Sequence, residues 1–238
     1  MLQSCSRIGG GSNVVAVSLD LAPSAGVVSD YGDGQTISGG LFDGLKVIDP
    51  LGLITSITDD GTDCTVTLNA GGAAFNSIAA LTNNVRIYYP TPLMGDFDLG
   101  ILVSSSGNNA SRRVGPVAWQ GTGTASNGGY RVVRWGAWTG TNGEIDVNRV
   151  FQSNKVVDGD VYSWATPRWL GIARAAQDCK NRDGGTGADP SWTELVTDQN
   201  GPEGGNPYAG VMLYAGSNND SFSFRGFRLT GFEYTATP

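Results

Sequence analysis

Gly143-Glu144-Ile145-Asp146-Val147-Asn148 carries polar side chains at every second position. A strand sends alternate side chains to opposite faces, so Glu144, Asp146 and Asn148 are expected on one face. Two carboxyl groups about 5–5.5 Å apart across a sugar linkage perform retaining glycoside hydrolysis, one as nucleophile and one as proton donor. Trp135 and Trp138 stand nearby in sequence, with Tyr130, Tyr162 and Trp164. An aromatic ring offers a flat apolar surface to the C–H face of a sugar, and groups such as Asn142 and Asp146 take up its hydroxyls. Trp135, Trp138, Asn142 and Asp146 are therefore the expected carbohydrate contacts. Core packing is the competing role for the tryptophans.

The chain of 238 residues contains no His. This removes Ser-His-Asp and Cys-His nucleophile systems, His-bearing zinc sites and His-ligated haem, leaving carboxylates, three Lys and oxygen-held metals. Asp158-Gly159-Asp160, Asp30-Tyr31-Gly32-Asp33 and Asn218-Asn219-Asp220 are rich in the oxygens calcium takes, but none has the spacing of an EF-hand. They read first as turns. No cofactor and no metal site is expected, with Ca2+ the ion such clusters would suit. Cys5, Cys64 and Cys179 are far apart and odd in number, so neither a CxxC pair nor a dense disulfide framework is read. Leu2-Gln3-Ser4-Cys5 lacks the apolar stretch of an export signal, and no signal peptide is expected.

A net charge of -7 argues against a phosphate-backbone partner, which needs a basic footprint. No run approaches the ~18 consecutive apolar residues of a membrane span, so neither nucleic acid nor membrane is an expected partner. Arg outnumbers Lys 12 to 3, a bias that suits bidentate pairing with carboxylates.

The elements that must position these residues are strands. Hydrophobic residues make up 39% of the chain and Gly contributes 36 residues, so turns are frequent. The apolar patterns predict strands over Asn13–Leu19, Leu45–Ile48, Cys64–Leu68, Val85–Tyr89, Phe97–Ser104, Val114–Gln120, Tyr130–Trp135, Trp169–Ala173, Tyr208–Ala215 and Phe222–Tyr234. A helical signal is confined to Asn76–Thr82. Asp59-Asp60-Gly61-Thr62-Asp63 predicts a hairpin between Ile54-Thr55-Ser56-Ile57 and Cys64-Thr65-Val66. Asn181–Pro190 and Asn200–Pro207 are expected to be long loops. Residues 1–38, interrupted by Gly and Pro23, read as an N-terminal arm that docks elsewhere, with a sandwich over 39–238.

Gly95-Asp96-Phe97-Asp98-Leu99, Gly129-Tyr130-Arg131-Val132, Arg168-Trp169-Leu170-Gly171-Ile172-Ala173-Arg174, Tyr208 to Gly216 and Phe222 to Leu229 follow one another in an order similar to the concanavalin A-like lectin/glucanase superfamily. The resemblance covers roughly Phe42 to Tyr234. It implies an all-β fold, an antiparallel jelly-roll β-sandwich with the extended N-terminal arm added. Within it Gly143–Asn148 resembles the catalytic strand of β-glucanases, whose alternate carboxylates act as nucleophile, helper and acid/base. Asn148 stands where those enzymes have the acid/base Glu. An amide cannot give and take back that proton, so no catalytic residue and no enzyme activity are expected. A further departure is Ala175–Pro190, which intervenes before Ser191-Trp192-Thr193 where related members have a short hairpin.

The start at Met1, the missing catalytic residue and the Gly/Ser/Asn-rich β composition lead to the expectation of a non-enzymatic virion structural protein. It would be a bacteriophage capsid decoration, head fibre or tail component, made in the host cytoplasm and displayed on the virion surface as a homo-oligomer. The arm would hold other virion subunits, and the jelly roll would bind host surface polysaccharide. Removing residues 1–38 is expected to leave the sandwich folded and weaken assembly. The alternatives are a stand-alone carbohydrate-binding adhesion module and a β-glucanase-like hydrolase.

Overall fold

Phe97, Leu99, Ile101 and Val103 alternate with Asp98, Gly100 and Leu102, and the first four are buried in one core. Such alternation lets one strand face bury apolar surface while the other meets a different environment. A computed structural model of the chain describes residues 13–73, 79–105, 112–119, 130–139, 142–149, 152–163, 166–175, 178–198 and 206–235. Within them nearly all regular structure is antiparallel strand. The first part of the chain forms β1 (Asn13–Leu21), β2 (Lys46–Ile48), β3 (Ile54–Asp59), β4 (Cys64–Leu68), the short helix α1 (Ala79–Asn83), β5 (Val85–Tyr88), β6 (Leu93–Ser105) and β7 (Arg113–Trp119). The second forms β8 (Tyr130–Thr139), β9 (Asn142–Arg149), β10 (Gln152–Ser163), β11 (Arg168–Ala175), β12 (Asp178–Gly185), β13 (Thr193–Asp198), β14 (Tyr208–Tyr214) and β15 (Asp220–Thr235).

Two sheets result. One runs β13-β12-β11-β6-β15-β4-β3 with β1 added on β15, making eight strands, and the other runs β10-β9-β8-β7-β14-β5-β2 with seven. The core lies between them: Leu99, Ile101, Leu170, Ile172, Phe222, Phe224 and Phe227 from the first meet Val47, Val85, Ile87, Val114, Val211 and Leu213 from the second. Phe42 packs edge-on against Phe224 and Phe227, with ring centroids 5.3 and 6.5 Å apart. The antiparallel jelly-roll sandwich expected from the sequence is the fold observed.

β15 organises the larger sheet. Its 16 residues pair with β6 along one side, and along the other its first part pairs with β4 and its later part with β1. The β1 register runs from Asn13 opposite Thr235 to Leu21 opposite Phe227. The segment read as an arm over 1–38 thus lies on the sandwich where it is described. Val17 and Ile37 are core residues at 5% and 1% exposure, and Ser29 bridges Ser38. The patterning that made Asn13–Leu19 a strand outweighs the Gly and Pro interruptions that made its surroundings an arm.

The β3–β4 hairpin is present, with Gly61 at φ 86°. That left-handed conformation is what a tight turn asks of glycine. The helical signal condenses to α1, while residues 74–78 fall outside the described part. The long loop expected over Asn181–Pro190 is shorter than predicted. β12 occupies its first half, and the seven pairs from Trp169–Gly185 to Ala175–Asp178 align β12 with β11. Most of the expected loop at Asn200–Pro207 lies outside the described residues.

Candidate functional site

Strands β14 and β7 are largely apolar on both faces, and β5 alternates Val85 and Ile87 with Arg86 and Tyr88. Val85 and Ile87, Ala209, Val211 and Leu213, and Val114 and Ala118 enter the inter-sheet core. The alternate residues Tyr88, Tyr208, Met212, Tyr214, Val117 and Trp119 form a second cluster on the outer face of the seven-stranded sheet, joined by Ile48 of β2 and by the buried Ala80 of α1, which packs over part of it. Tyr208 stands opposite Trp119 in register. Their rings stack at 5.7 Å, and Tyr88 meets Trp119 and Tyr208 edge-on at 5.3 and 5.5 Å. Gly210, beside Tyr88, keeps the approach open, since a β-carbon there would stand 2.7 Å from the Tyr88 β-carbon. Trp119 is buried, whereas Tyr88 and Tyr208 are half-buried and present ring surface and hydroxyls. Burial, and then neighbouring Tyr208, holds the Tyr88 hydroxyl above its ordinary value, so it remains a neutral donor.

Two cations border these rings. Lys46 is paired in register with Tyr88, and Arg86 lies between Ile48 and Met212. The Arg86 guanidinium carbon sits 4.7 Å from the centroid of the Trp119 ring. Such stacking contributes about 0.5–2 kcal/mol. Arg86 is only 7% exposed, and its Nε has no hydrogen-bond partner among the described residues. Burial pushes the guanidinium down to about 10, against the opposing pull of Tyr88 and Asp33. Arg112, Arg168, Arg182, Arg225 and Arg228 each meet an aspartate. Among the described residues neither Arg86 nor Lys46 does; Asp33 instead accepts the Asp49 backbone N–H at 2.7 Å.

The four residues expected to touch carbohydrate fall on the neighbouring β8–β9 hairpin. Trp135 and Trp138 are in β8, and Asn142 and Asp146 are in β9. The backbone register sets Asp146 opposite Arg134, Asn142 opposite Thr139, Trp135 opposite Ile145 and core residue Val114, and Val132 opposite Val117. Glu144, Asp146 and Asn148 pair with Gly136, Arg134 and Val132, alternate positions of one strand. The side chains of all these β8 and β9 residues, and Trp164 entirely, lie outside the described residues.

The oxygen clusters at Asp30–Asp33 and Asn218–Asp220 are drawn into local structure, whereas the side chains of Asp158-Gly159-Asp160 lie outside the described residues. Asn218 accepts the Ala70 backbone N–H, and Asp220 takes the Arg112 Nε at 2.6 Å and the Ser217 hydroxyl at 2.7 Å. Among the described residues no three His, Cys, Asp or Glu side chains are grouped to hold a metal. Cys64 is a free, buried thiol pushed up to about 12 by burial and then by Asp59. Cys5 and the Cys179 side chain lie outside the described residues.

The outer face of the eight-stranded sheet is built differently. Trp169 and Trp192 lie over Gly100, Gly171, Gly184 and Gly226, and Arg228 and Arg182 sit 5.0 and 4.3 Å from the respective ring centroids. Trp169 donates through its indole N–H to the Gly187 carbonyl at 3.1 Å, which draws the loop after β12 over the ring. Arg182 also pairs with Asp98. Beyond them an open groove of about 580 Å³ is floored by Ala16, Ala173 and Gly231, with Phe232 49% exposed at its side. Arg182 Nε is buried without a partner, as Arg86 Nε is, but the Arg182 terminal nitrogen pairs with Asp98 whereas Arg86 meets no carboxylate among the described residues, so the face turned toward Tyr88 and Arg86 is the stronger site.

Sequence reasoning missed Tyr88, Trp119, Tyr208, Arg86 and Lys46. Their signal was the alternation itself, since each stands beside a core residue in its strand.

No protein-family model matches the sequence, and no curated protein is significantly similar to it. Solved structures do resemble the fold. A protein of unknown function from Shewanella oneidensis MR-1 aligns over 100% of this chain and 93% of its own, at TM-score 0.54 and 9% identity. A functionally unknown protein from Saccharomyces cerevisiae aligns over 82% of this chain and 97% of its own, at TM-score 0.53 and 9% identity. An engineered GH43 glycoside hydrolase, described as having endo-xylanase and exo-arabinofuranosidase activity, aligns over 87% of this chain but 41% of its own, at TM-score 0.51 and 12% identity. This chain therefore spans about two fifths of that enzyme. Identities this low speak to architecture alone, and the architecture is an antiparallel jelly-roll β-sandwich.

Proposed function

We propose that this protein is a non-enzymatic carbohydrate-binding module whose ligand lies on the outer face of the seven-stranded sheet. The observation that carries the reading is the Tyr88–Tyr208–Trp119 cluster, where two half-buried phenols border a buried indole on one strand face. Flat rings with adjacent polar tips are what a sugar's two chemically distinct faces require. Fold likeness to a part of a glycoside hydrolase is compatible with sugar binding, and Asn148 in place of a proton-donating Glu speaks against turnover. The test is affinity for a panel of soluble neutral and acidic polysaccharides, with reducing-end release followed in the same samples. Binding that drops at least about tenfold in Tyr208→Ala, with no sugar released, is the expected result. Hydrolysis by the unaltered protein, or binding indifferent to Tyr208, overturns the reading.

We also propose that the module is displayed on a bacteriophage virion as a homo-oligomer, with residues within 1–38 meeting neighbouring subunits. The support is the Gly/Ser/Asn-rich β composition. Light scattering on the full chain and on a chain beginning at Asn13 tests the assembly part: an oligomer reduced to a monomer by the truncation is expected, and a monomer in both overturns it.

A further inference from the structure

Arg86 has an unusual position for a charged group. It is 93% buried, it is flanked in register by Ile48 and Met212, and its guanidinium lies on the Trp119 ring with no carboxylate paired to it among the described residues. A buried charge without a counter-ion is unfavourable, and folded proteins normally pair it or neutralise it. The remaining Arg–Asp pairs of the sandwich show that this chain has aspartates to spare for that purpose. Lys46, one of only three Lys, adds a second cation beside Tyr88 on the same sheet face. The chain as a whole is acidic, and of its carboxylates Asp33 acts on Arg86 and on Tyr88 from nearby without forming an ion pair with Arg86.

We infer that the ligand of this face is an acidic polysaccharide, whose carboxylate or sulfate is the missing counter-ion of Arg86 and Lys46 while its sugar ring rests on Tyr88 and Tyr208. This rests on the carbohydrate-binding reading above and specifies its substrate class. The guanidinium fork matches a planar carboxylate or two sulfate oxygens through parallel hydrogen bonds, and the lysine acts as a point charge. Trp119 holds the fork in place before the ligand arrives, so little side-chain freedom is lost on binding. The net charge of -7 repels polyanions in general, so their capture requires a built site rather than diffuse attraction.

Four polymers test this by titration calorimetry: polygalacturonate and its methyl-esterified form, and dextran sulfate and dextran. Preference of at least about tenfold for an acidic member over its neutral counterpart is expected, weakening as NaCl rises from about 50 to about 300 mM. Preference for polygalacturonate alone identifies a carboxylate, and preference for dextran sulfate alone a sulfate. Arg86→Met should abolish the preference without lowering the melting temperature, because it removes an uncompensated buried charge. Lys46→Ala should weaken acidic binding several-fold and flatten its salt dependence. Equal binding of acidic and neutral members overturns the inference and leaves the carbohydrate reading standing, as does binding confined to other neutral polysaccharides. Binding of no polysaccharide overturns both. An Arg86→Met protein that melts earlier yet binds unchanged assigns Arg86 to structure and overturns the inference.

Discussion

Trp192 lies directly on the backbone of Gly171, so that a β-carbon at position 171 would stand 2.6 Å from two atoms of the indole. Leu99, across the strand pair, adds its carbonyl oxygen at 3.1 Å from the same point. The sheet surface under the ring is therefore bare by necessity, and the ring cannot lift without leaving Arg182. Gly171→Ala is expected to destabilise the protein by about 1–3 kcal/mol, read as a lower urea midpoint. Adding Trp192→Ala should recover part of that loss, since the two changes relieve the same clash. A fully additive double variant would show that the crowding is not between these two residues.

Asp63 links β4 to β15 through Arg225, whose Nε and terminal nitrogen each lie 3.0 Å from a carboxylate oxygen, and it also accepts the Ser104 hydroxyl. The Arg225 hydrogen bonds, and secondarily Ser104, hold its carboxyl below the ordinary 3.8. A carboxylate with a depressed folded pKa adds stability above its unfolded pKa and loses it as pH falls through the folded one. Asp63→Asn should thus cost about 0.2–1 kcal/mol at neutral pH, the scale of a partly exposed pair. The gap between variant and parent should narrow below pH 3.8 and close at lower pH. Urea melts at several pH values measure it, and a pH-independent gap would contradict the assignment.

Truncation through residue 38 should destabilise the sandwich strongly. It removes the nine-residue β1 from β15 and takes Val17 and Ile37 out of the core. Deleting a buried aliphatic side chain alone costs about 2–5 kcal/mol. A truncated chain that unfolds at the parent's denaturant midpoint would restore the view of this segment as a separate arm.

Cys64 should resist alkylation in the native protein. Its thiol is fully buried and pushed up to about 12, so the reactive thiolate is scarce at neutral pH. Native N-ethylmaleimide treatment followed by peptide mass mapping should find Cys64 unmodified, with labelling appearing only in denaturant. Rapid native labelling would mean that the β3–β4 hairpin opens readily.

The sandwich was legible because its long strands carry period-two patterns: Phe97 to Val103 and Phe222 to Leu229 announce both their structure and their buried faces. β12 was hidden because Asn181-Arg182-Asp183-Gly184-Gly185 has the composition of a turn. Its strand state depends on pairing with β11 and on an indole that needs glycine beneath it. The site was half legible. The carboxylate alternation in β9 drew attention to the seven-stranded sheet, and the register does place Glu144, Asp146 and Asn148 opposite alternate residues of β8. The aromatic cluster lies two to four strands away, and it was hidden because Val114 to Trp119 and Tyr208 to Tyr214 carry no charged residue to mark an outer face, while Arg86 and Tyr88 alternate with core residues over only four positions. Which of their residues enter the core is decided only when two sheets meet.

The double pairing of β15 also sets an order of events during synthesis. β6, β4 and β1 are all translated before the strand that joins them, and the contact of Asn13 with Thr235 spans nearly the whole described chain. On a ribosome these three strands wait with bare edges, and the larger sheet closes only after residue 235 emerges. Contacts this distant in sequence make folding slow, and waiting edges are open to pairing with other chains. Newly made protein therefore passes through an interval of unpaired strand edges that ends with the arrival of one strand.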